Sequence, residues 1–421
     1  MINYQKNIFL YVLIFLTVSS YFLGYHLDEN AAGAGLYTGD LGHVWKNLNI
    51  YLNNSTPASI VDQNIYSNRP PLLYLFHKYI NPLTNNIETF RLSVFLISLF
   101  SPFVFYCCLR LKFRETNKLY LIVLAVTILL SPYYRTSSFW GLEENFGIIS
   151  SLIAILFFLN YEKNSSYKNL FALIFFSSIC VYLDQKLLIV PLIFFLRIFF
   201  SETDVSKKLV STLLYLILAL PYSYLVIIWN GIFPPSHSEL HDFNTILWDN
   251  LIYAITIMSI YFLPFIFIKD DLFLELKKLF KNKIFIASFG LILFLILYLE
   301  IFYMRPEYSF HTNLDGGGAI RKLLFVIFEK NEIQKVLLYL ACIVFWPIIC
   351  IFVNKNNLII FVYFLIVSLF IYPLYQETFD PILFILITLL IIKEIRLNYK
   401  KIIFLNLYFT TFLICSVLYY N

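Results

Sequence analysis

The sequence predicts an all-α integral membrane protein with about 13 transmembrane helices and a long first outer loop that carries interfacial amphipathic helices. The first observation is composition, because 60% of the 421 residues are hydrophobic and only 14% are charged. That is too little polar material for the surface of a soluble domain of this length. The second observation is that apolar residues form runs close to the roughly 20 residues that a helix needs to cross a bilayer. We therefore expect one polytopic transmembrane domain over residues 1–421.

The apolar runs place the spans along the chain. The first run, 8–25, is long enough to cross and has no small-residue cleavage site behind it, so we expect a membrane helix rather than a signal peptide. Only a few residues separate 169–184 from 187–201, and 357–373 from 379–393. The predicted spans are 8–25, 92–111, 119–133, 146–161, 169–184, 187–201, 209–229, 249–268, 284–304, 336–353, 357–373, 379–393 and 402–419.

The distribution of Lys and Arg sets the orientation. With the N-terminus and Lys6 in the cytoplasm, the short loops on that side hold most of the 31 Lys and Arg residues, as the positive-inside rule requires. The predicted location is a bacterial inner (cytoplasmic) membrane, with functional residues on outer loops, chiefly 26–90 and 304–335. Because topology explains the basic residues, we predict no nucleic-acid partner.

Acidic residues mark the first outer loop. Asp28 and Glu29 directly follow the first span, where acids at membrane level are costly unless they are solvated or used. They are either catalytic or substrate-binding residues, or solvated loop acids. Asp40 is a third candidate, although it also stands where the N-cap of a helix belongs. Glu88 and Arg91 are three residues apart and fit a helix-surface ion pair.

Two short helices are expected within this loop. After Asp40, apolar residues recur every three or four positions, which is typical of an amphipathic helix on the membrane surface. Pro70 and Pro71 introduce a second short helix. The apolar face of the first helix comprises Leu41, Val44, Trp45, Leu48 and Leu52, with Lys46, Asn47 and Asn49 on the opposite face.

Further polar residues lie in the outer segment 132–145. Trp140, Glu143 and Glu144 fit a sugar-binding site, or an interface tryptophan followed by acids at a helix N-terminus. Asp184 and Lys186 are expected in a solvated turn.

Two later outer segments contain residues of phosphate-binding and metal-binding type. In 311–322, three glycines precede a helical pattern with Arg321, which would place backbone N–H groups and a cation around a phosphate. The alternative is a flexible loop that leads into an interfacial helix. His237, His241 and Asp242 are metal ligands by type, but their loop is long and we assign no metal to it.

The order of these features resembles the GT-C glycosyltransferases, membrane enzymes that use polyprenyl-phosphate-linked sugars. The resemblance covers most of the chain as topology, with an acid-containing first outer loop and an N-terminus inside. The chain departs from better-defined branches in having no large soluble C-terminal domain and in having adjacent acids instead of a widely spaced pair. Both departures leave divalent metal dependence open, and no cofactor is assigned. The matching pieces are LDEN (27–30), YSNRPPLLYLF (66–76), SSFWGLEENFG (137–147) and YQETFDPILFIL (375–386).

The resemblance implies roles for particular residues. In the family, an acid of the first outer loop is the catalytic base or binds the metal, and Asp28 matches that position, with Glu29 beside it. A second acid often lies in the second outer loop, and basic residues in later outer loops bind the donor phosphate. The candidate catalytic residues are thus Asp28, Glu29 and Asp40, and the candidate substrate-binding residues are Arg69, Trp140, Glu143, Glu144, Arg305, Tyr308, His311, Arg321 and Lys322.

The expected function is transfer of a sugar from a polyprenyl-phosphate-linked donor to an acceptor on the outer (periplasmic) face, in assembly of a cell-surface glycan. The acceptor would be a glycan, a lipid or a protein, and membrane lipids surround the enzyme. Such chemistry needs a base and a cation for the leaving phosphate, so Asp28, Glu143 or Glu144, and Arg305 or Arg321 should converge on one outward cavity.

Three other functions fit parts of the pattern. A repeat-unit polymerase of a surface polysaccharide would share the topology and the outer loops. A lipid-linked oligosaccharide flippase or another transporter would place charges within its spans, whereas here they gather in the loops. A membrane acyltransferase would need a His and an Arg at the ends of early spans, and His26 lies at the end of the first span.

Overall fold

The computed structural model describes residues 2–33, 35–67, 69–232, 234, 246–269, 272–302 and 316–420. Every regular element within these ranges is helical, which confirms the all-α prediction. The α-helices are α1 Ile2–His26, α2 Leu41–Asn53, α3 Thr56–Ile60, α4 Leu72–Tyr79, α5 Ile87–Ser98, α6 Phe100–Lys112, α7 Lys118–Val126, α8 Pro132–Phe139, α9 Glu144–Lys163, α10 Tyr167–Leu183, α11 Ile189–Ser201, α12 Val205–Trp229, α13 Asn250–Ile266, α14 Leu272–Leu279, α15 Lys283–Ile301, α16 Gly318–Ile327, α17 Asn331–Cys350, α18 Leu358–Ser368, α19 Ile382–Leu386 and α20 Tyr399–Tyr420.

The chain folds into two compact units. The first contains Met1–His241 together with Asn398–Asn421, and the second contains Asp242–Leu397. The acids of the first outer loop and of segment 137–144 all belong to the first unit. The two units also contain short helical segments that are not α-helices, at Leu36–Asp40, Thr127–Leu130, Gln185–Leu188, Gln376–Thr378 and Ile387–Ile391.

The protein is a multi-pass membrane protein, but the predicted count of about 13 spans is wrong. Within the described ranges, seven helices are long and apolar enough to cross a bilayer. An eighth arises if Lys118–Leu130 and Pro132–Phe139, which meet at a bend of 66°, form one broken span. The seven are Gln5–His26, Ile87–Lys112, Glu144–Lys163, Val205–Trp229, Lys283–Ile301, Asn331–Cys350 and Tyr399–Tyr420.

The overcount arose because an apolar run shows that a segment avoids water, not that it faces lipid. The runs predicted at 169–184 and 249–268 form helices of 17 residues each, and 357–373 contains a helix of only 11 residues. At 1.5 Å per residue, 11 residues reach roughly 16 Å, about half the thickness of the hydrocarbon core. Helix α13 owes its hydrophobicity to burial within the second unit, where Ala254 and Met258 are completely covered.

The bend between α7 and α8 has a local cause in the sequence. Pro132 has no N–H to continue the preceding helical turn, and it favours an extended conformation in the residue before it. Ser131 adopts that conformation, with φ −69° and ψ 121°, and its side chain accepts a hydrogen bond from the Tyr134 N–H as a new N-cap. This break starts α8, the helix that carries Arg135, in a new direction.

The predicted helix after Asp40 is confirmed, but Asn47, which was predicted on its polar face, is buried. Helix α2 buries Leu41, Val44 and Leu48 as expected, and it also buries Asn47, which is 1% exposed. The Asn47 amide accepts a hydrogen bond from the Tyr66 N–H (2.9 Å) and donates to the Tyr66 carbonyl (2.8 Å). It also donates to the Tyr74 hydroxyl at 3.1 Å, so one side chain joins α2 to the following loop and to α4.

Replacement of this amide tests the importance of the loop anchor. Asn47→Ala should lower the free energy of unfolding by about 1–3 kcal/mol, because buried backbone and hydroxyl groups would lose their partner. Asn49→Ala is the matched control, since its amide donates only to the Trp45 carbonyl of the same helix and should cost less than about 0.5 kcal/mol. Thermal unfolding of the detergent-purified protein measures both, and equal losses would contradict the role given to Asn47.

Candidate functional site

Three arginines of the first unit bind the acids that the sequence marked as candidates. Arg91 pairs with Asp28, Arg135 pairs with Glu29, and Arg69 pairs with both Glu143 and Glu144. The spacing of Glu88 and Arg91 predicted an ion pair between them, and that prediction is wrong. Glu88 instead accepts a hydrogen bond from the Tyr37 hydroxyl. The four ion pairs join the first outer loop to α5, to α8 and to the start of α9.

Glu29 is held on both carboxylate oxygens. Arg135 Nε lies 2.6 Å from Oε1 and Nη2 lies 2.6 Å from Oε2, a bidentate arrangement. Arg135 is 1% exposed and also donates to the Ser20 carbonyl at 2.7 Å. The fit is tight, because a Cβ at Gly24 would lie 2.4 Å from Arg135 Nη2. This geometry makes Glu29 the partner of a buried cation and fixes the end of α1 to α8.

Asp28 has a different environment from its neighbour. Its Oδ1 lies 2.7 Å from Arg91 Nη1, yet its side chain is 53% exposed and its backbone is left-handed, with φ +53°. Asn and Asp are the residues other than glycine that adopt this conformation most readily. Asp28 is therefore a solvent-accessible carboxylate oriented by a buried guanidinium.

Arg91 is enclosed by aromatic rings. Its guanidinium carbon lies 4.3 Å from the ring centroid of Trp140, 4.6 Å from that of Tyr25 and 5.4 Å from that of Tyr37. Trp140 also donates its indole N–H to the Glu29 carbonyl at 2.9 Å and is fully buried. Trp140, predicted as a sugar platform or an interface anchor, thus packs against Arg91 and has no exposed face for a sugar.

A second cluster forms around Arg69. Its Nε lies 3.3 Å from Glu143 Oε1, and its Nη2 contacts Glu144 Oε1. Glu144 also accepts hydrogen bonds from the Tyr133 hydroxyl (2.5 Å) and the Ser137 hydroxyl (3.3 Å). Arg69 Nη1 is buried and has no hydrogen-bond partner within the described part of the chain. The substrate-binding role of Arg69, Glu143 and Glu144 stays a prediction, and Nη1 is the one donor of Arg69 that the described residues leave without a partner.

Asp184 was expected in a solvated turn, and that expectation is wrong. Its side chain is buried at the end of α10 and accepts a hydrogen bond from the Lys186 N–H at 3.1 Å. It lies close enough to Arg69 and Glu144 for their charges to affect its pKa. The sequence did contain a signal for this burial. Asp184 lies in a short break between two apolar runs, so that apolar helices flank it on both sides.

Burial and charge set the protonation of the Arg69 cluster. Burial raises the pKa of Glu143 to about 7, and the nearby Arg69 offsets only part of this effect. Burial also raises the pKa of Asp184, against the opposing charges of Arg69 and Lys186. For Arg69, burial alone would lower the pKa, but the carboxylates of Glu144 and Glu143 outweigh it and hold the pKa well above its ordinary value. Arg69 thus stays charged, and Glu143 exchanges a proton near neutral pH.

The remaining candidates divide into three groups. Asp40 directly precedes α2 but makes no capping hydrogen bond with its side chain, so the structure does not support the N-cap explanation. Arg305, Tyr308 and His311 lie outside the described residues, as do His237, His241 and Asp242. Arg321 and Lys322 belong to α16 of the second unit. Convergence of these basic residues with Asp28 therefore stays a prediction.

Backbone groups around the three glycines at the start of α16 are hydrogen-bonded within the second unit. The Gly317 N–H donates to the Leu374 carbonyl at 2.7 Å, and the Ala319 N–H donates to Gln376 Oε1 at 3.1 Å. Arg321 donates to the Gly316 carbonyl at 3.2 Å and lies over the ring of Tyr253. Two of the N–H groups expected to bind phosphate are thus used within the fold, which favours the alternative of a loop that leads into a helix.

Metal binding finds little support at Asp28 and Glu29, because a guanidinium contacts each carboxylate and competes with a cation. Across the described ranges, no three His, Cys, Asp or Glu side chains are grouped so as to hold a metal ion.

The chain matches no protein-family model, and neither curated proteins nor solved structures show significant similarity to it. The resemblance to GT-C enzymes therefore rests on the residues alone.

The two adjacent acids should respond differently to neutralisation. Glu29→Gln should lower the free energy of unfolding by about 3–5 kcal/mol, because it leaves the charge of buried Arg135 without a counter-ion. Asp28→Asn should cost less, about 1–2 kcal/mol, since the carboxylate that it removes is half exposed and Arg91 keeps its hydrogen bonds to two backbone carbonyls and its aromatic contacts. Unfolding of the two purified variants, side by side, measures the difference. A larger loss for Asp28→Asn would contradict these environments.

The raised pKa of Glu143 predicts a pH dependence. Between the ordinary value of about 4.5 and the folded value of about 7, the folded protein holds a proton that the unfolded chain has lost. Stability therefore falls as the pH rises through this window. Glu143→Gln cannot ionise, so its stability relative to wild type should increase by about 1–3 kcal/mol between pH 5 and pH 8.

Unfolding curves at four pH values from 5 to 8 test this, with Glu88→Gln as a control carboxylate of the same unit. If the wild-type and Glu143→Gln stabilities run parallel across this range, Glu143 does not titrate there.

Proposed function

We propose that the protein is an inverting glycosyltransferase that moves a sugar from a polyprenyl-phosphate-linked donor to an acceptor hydroxyl at the outer (periplasmic) face of the inner membrane. The observation that carries the proposal is Asp28, an accessible carboxylate at the end of the first membrane helix, oriented by a buried arginine. Its location matches the acid of the first outer loop in GT-C enzymes, which is where the resemblance implies a base.

The chemistry follows from this carboxylate. Asp28 takes the proton of the acceptor hydroxyl while that oxygen attacks the anomeric carbon of the donor sugar. The bond from the anomeric carbon to the phosphate oxygen breaks, and the polyprenyl phosphate leaves with the bonding electrons. Attack opposite the leaving group inverts the anomeric centre. Arg91 contacts one carboxylate oxygen and orients the group, while the other oxygen is left for the acceptor hydroxyl.

The leaving phosphate requires a cation, and the sequence offers several. Arg69 is one candidate, because it belongs to the same unit as Asp28 and its Nη1 has no hydrogen-bond partner among the described residues. Arg305 and Arg321 remain candidates by their positions along the chain. Arg135 is not one, because Glu29 and backbone carbonyls already occupy it.

The placement of charge also supports an enzyme over a transporter. Transporters hold substrate or coupling ions at the middle of the membrane, on charged groups within their spans. Here Asp28 follows α1, and Glu143 and Glu144 stand at the start of α9. The acids therefore gather at helix ends. A repeat-unit polymerase would also transfer a sugar to a hydroxyl, but both its donor and its acceptor would be lipid-linked oligosaccharides.

Loss of the proposed base should abolish transfer without unfolding the protein. Asp28→Asn should lower sugar transfer by at least about 100-fold, because general base catalysis contributes about 10²–10⁴ to rate. The assay follows sugar transfer to surface glycan and build-up of polyprenyl-phosphate sugar in membranes with equal expression of each variant.

Glu88→Gln is the matched control, since Glu88 contacts Tyr37, which in turn binds Arg91. It removes a neighbouring carboxylate and should leave transfer within about threefold of wild type. Unchanged transfer by Asp28→Asn would remove Asp28 from the mechanism. Equal losses for both variants would indicate that the whole cluster, and not this carboxylate, is needed.

A further inference from the structure

A groove of about 610 Å³ lies at the opposite end of the second membrane helix from the acid clusters. The helix Ile87–Lys112 begins near Arg91 and ends near the groove, which opens between α6, the loop after it and α9. The volume is within the range of about 300–1,000 Å³ that is typical of small-ligand sites. Its lining consists of Tyr106, Cys107, Arg110, Leu111, Arg114 and Leu156.

The two arginines of this groove, Arg110 and Arg114, have no acidic partner among the described residues. Within the described part of the chain, neither Arg110 nor Arg114 forms an ion pair. Arg110 donates through Nη1 to the carbonyls of Arg114 (3.3 Å) and Thr116 (3.4 Å), which leaves Nε and Nη2 for a ligand. The Arg114 side chain is exposed and makes no hydrogen bond to a described residue.

Other charges near the groove add to its positive character. Lys163 donates to the Leu111 carbonyl at 2.6 Å, so its ammonium group lies beside the groove. Of the acids at this end of the helices, Glu162 lies 4.0 Å from Arg197, while Glu115 is exposed next to Arg114. Cations therefore outnumber acids around the groove.

The rest of the lining is apolar. Leu111, Leu156 and Cys107 form the wall that continues along the membrane helices. Tyr106 adds an aromatic ring and a hydroxyl to this wall. A charged end and an apolar wall side by side match a molecule with a phosphate group and an acyl chain.

We propose that this groove binds an anionic glycerophospholipid, with its phosphate on Arg110 and Arg114 and its first acyl carbons against Leu111 and Leu156. A guanidinium offers paired donors to phosphate oxygens, and two of them give both charge and geometry. The distribution of Lys and Arg assigns this end of the helix to the cytoplasm, where anionic lipids attract basic pockets. The site is independent of the sugar-transfer proposal.

Lipid binding to the full-length purified protein tests this site. Native mass spectrometry would compare dioleoyl phosphatidylglycerol with dioleoyl phosphatidylcholine for wild type and Arg110→Gln/Arg114→Gln. The expected result is retention of phosphatidylglycerol over phosphatidylcholine, with at least tenfold weaker phosphatidylglycerol binding by the double variant. Lys277→Gln/Lys278→Gln, which removes two charges from α14, is the matched control and should bind like wild type.

Four results would overturn the proposal: wild-type affinity for phosphatidylglycerol in the double variant, equal binding of the two lipids, displacement of the lipid by millimolar inorganic phosphate, or tenfold tighter binding of undecaprenyl phosphate. The last two would assign the groove to a soluble anion or to a polyprenyl carrier. If the double variant does not fold, Arg114→Gln replaces it, because that side chain has no partner among the described residues. It should weaken phosphatidylglycerol binding about threefold, and unchanged binding would contradict the site.

Discussion

A buried guanidinium must have a counter-charge, and this constraint organises the first unit of the protein. Arg69, Arg91 and Arg135 have side chains that are 11%, 4% and 1% exposed. Arginine does not lose its proton in proteins, so each must be paired or pay a large desolvation cost. The partners come from the end of the first helix and from the start of α9. The four ion pairs of these three arginines therefore fix the start of the first outer loop and its position against α8.

The same constraint separates the roles of two acids that are neighbours in sequence. Glu29 points to a cation that is almost completely buried and gives both oxygens to it. Asp28 has a left-handed backbone conformation, contacts Arg91 instead of Arg135, and has about half of its side chain exposed. The environment of each carboxylate, and not its residue type, thus sets its role. Glu29 stabilises the fold, and Asp28 is available as the proposed base. The proposed base depends on the structural acid beside it.

The sequence predicted the local features and missed the distant contacts. A long apolar run identified the first membrane helix, and hydrophobic periodicity identified the start of α2, because both are properties of a single segment. Counting apolar runs gave too many spans, since runs such as α13 are buried by protein. Periodicity also placed Asn47 on the polar face of α2, because it carries no information about the distant partners Tyr66 and Tyr74. Arg135 lies 106 residues from Glu29, and periodicity shows which face a residue occupies but not what it meets there.

The most direct test of this account is a double-mutant cycle on the Glu29–Arg135 pair. Unfolding free energies would be measured for wild type, Glu29→Met, Arg135→Met and the double variant under one detergent condition. We predict a coupling energy of at least about 2 kcal/mol, with the double variant more stable than either single variant, because it removes both buried charges together. Additive effects within about 0.5 kcal/mol would show that the pair does not hold the loop, and would contradict the account.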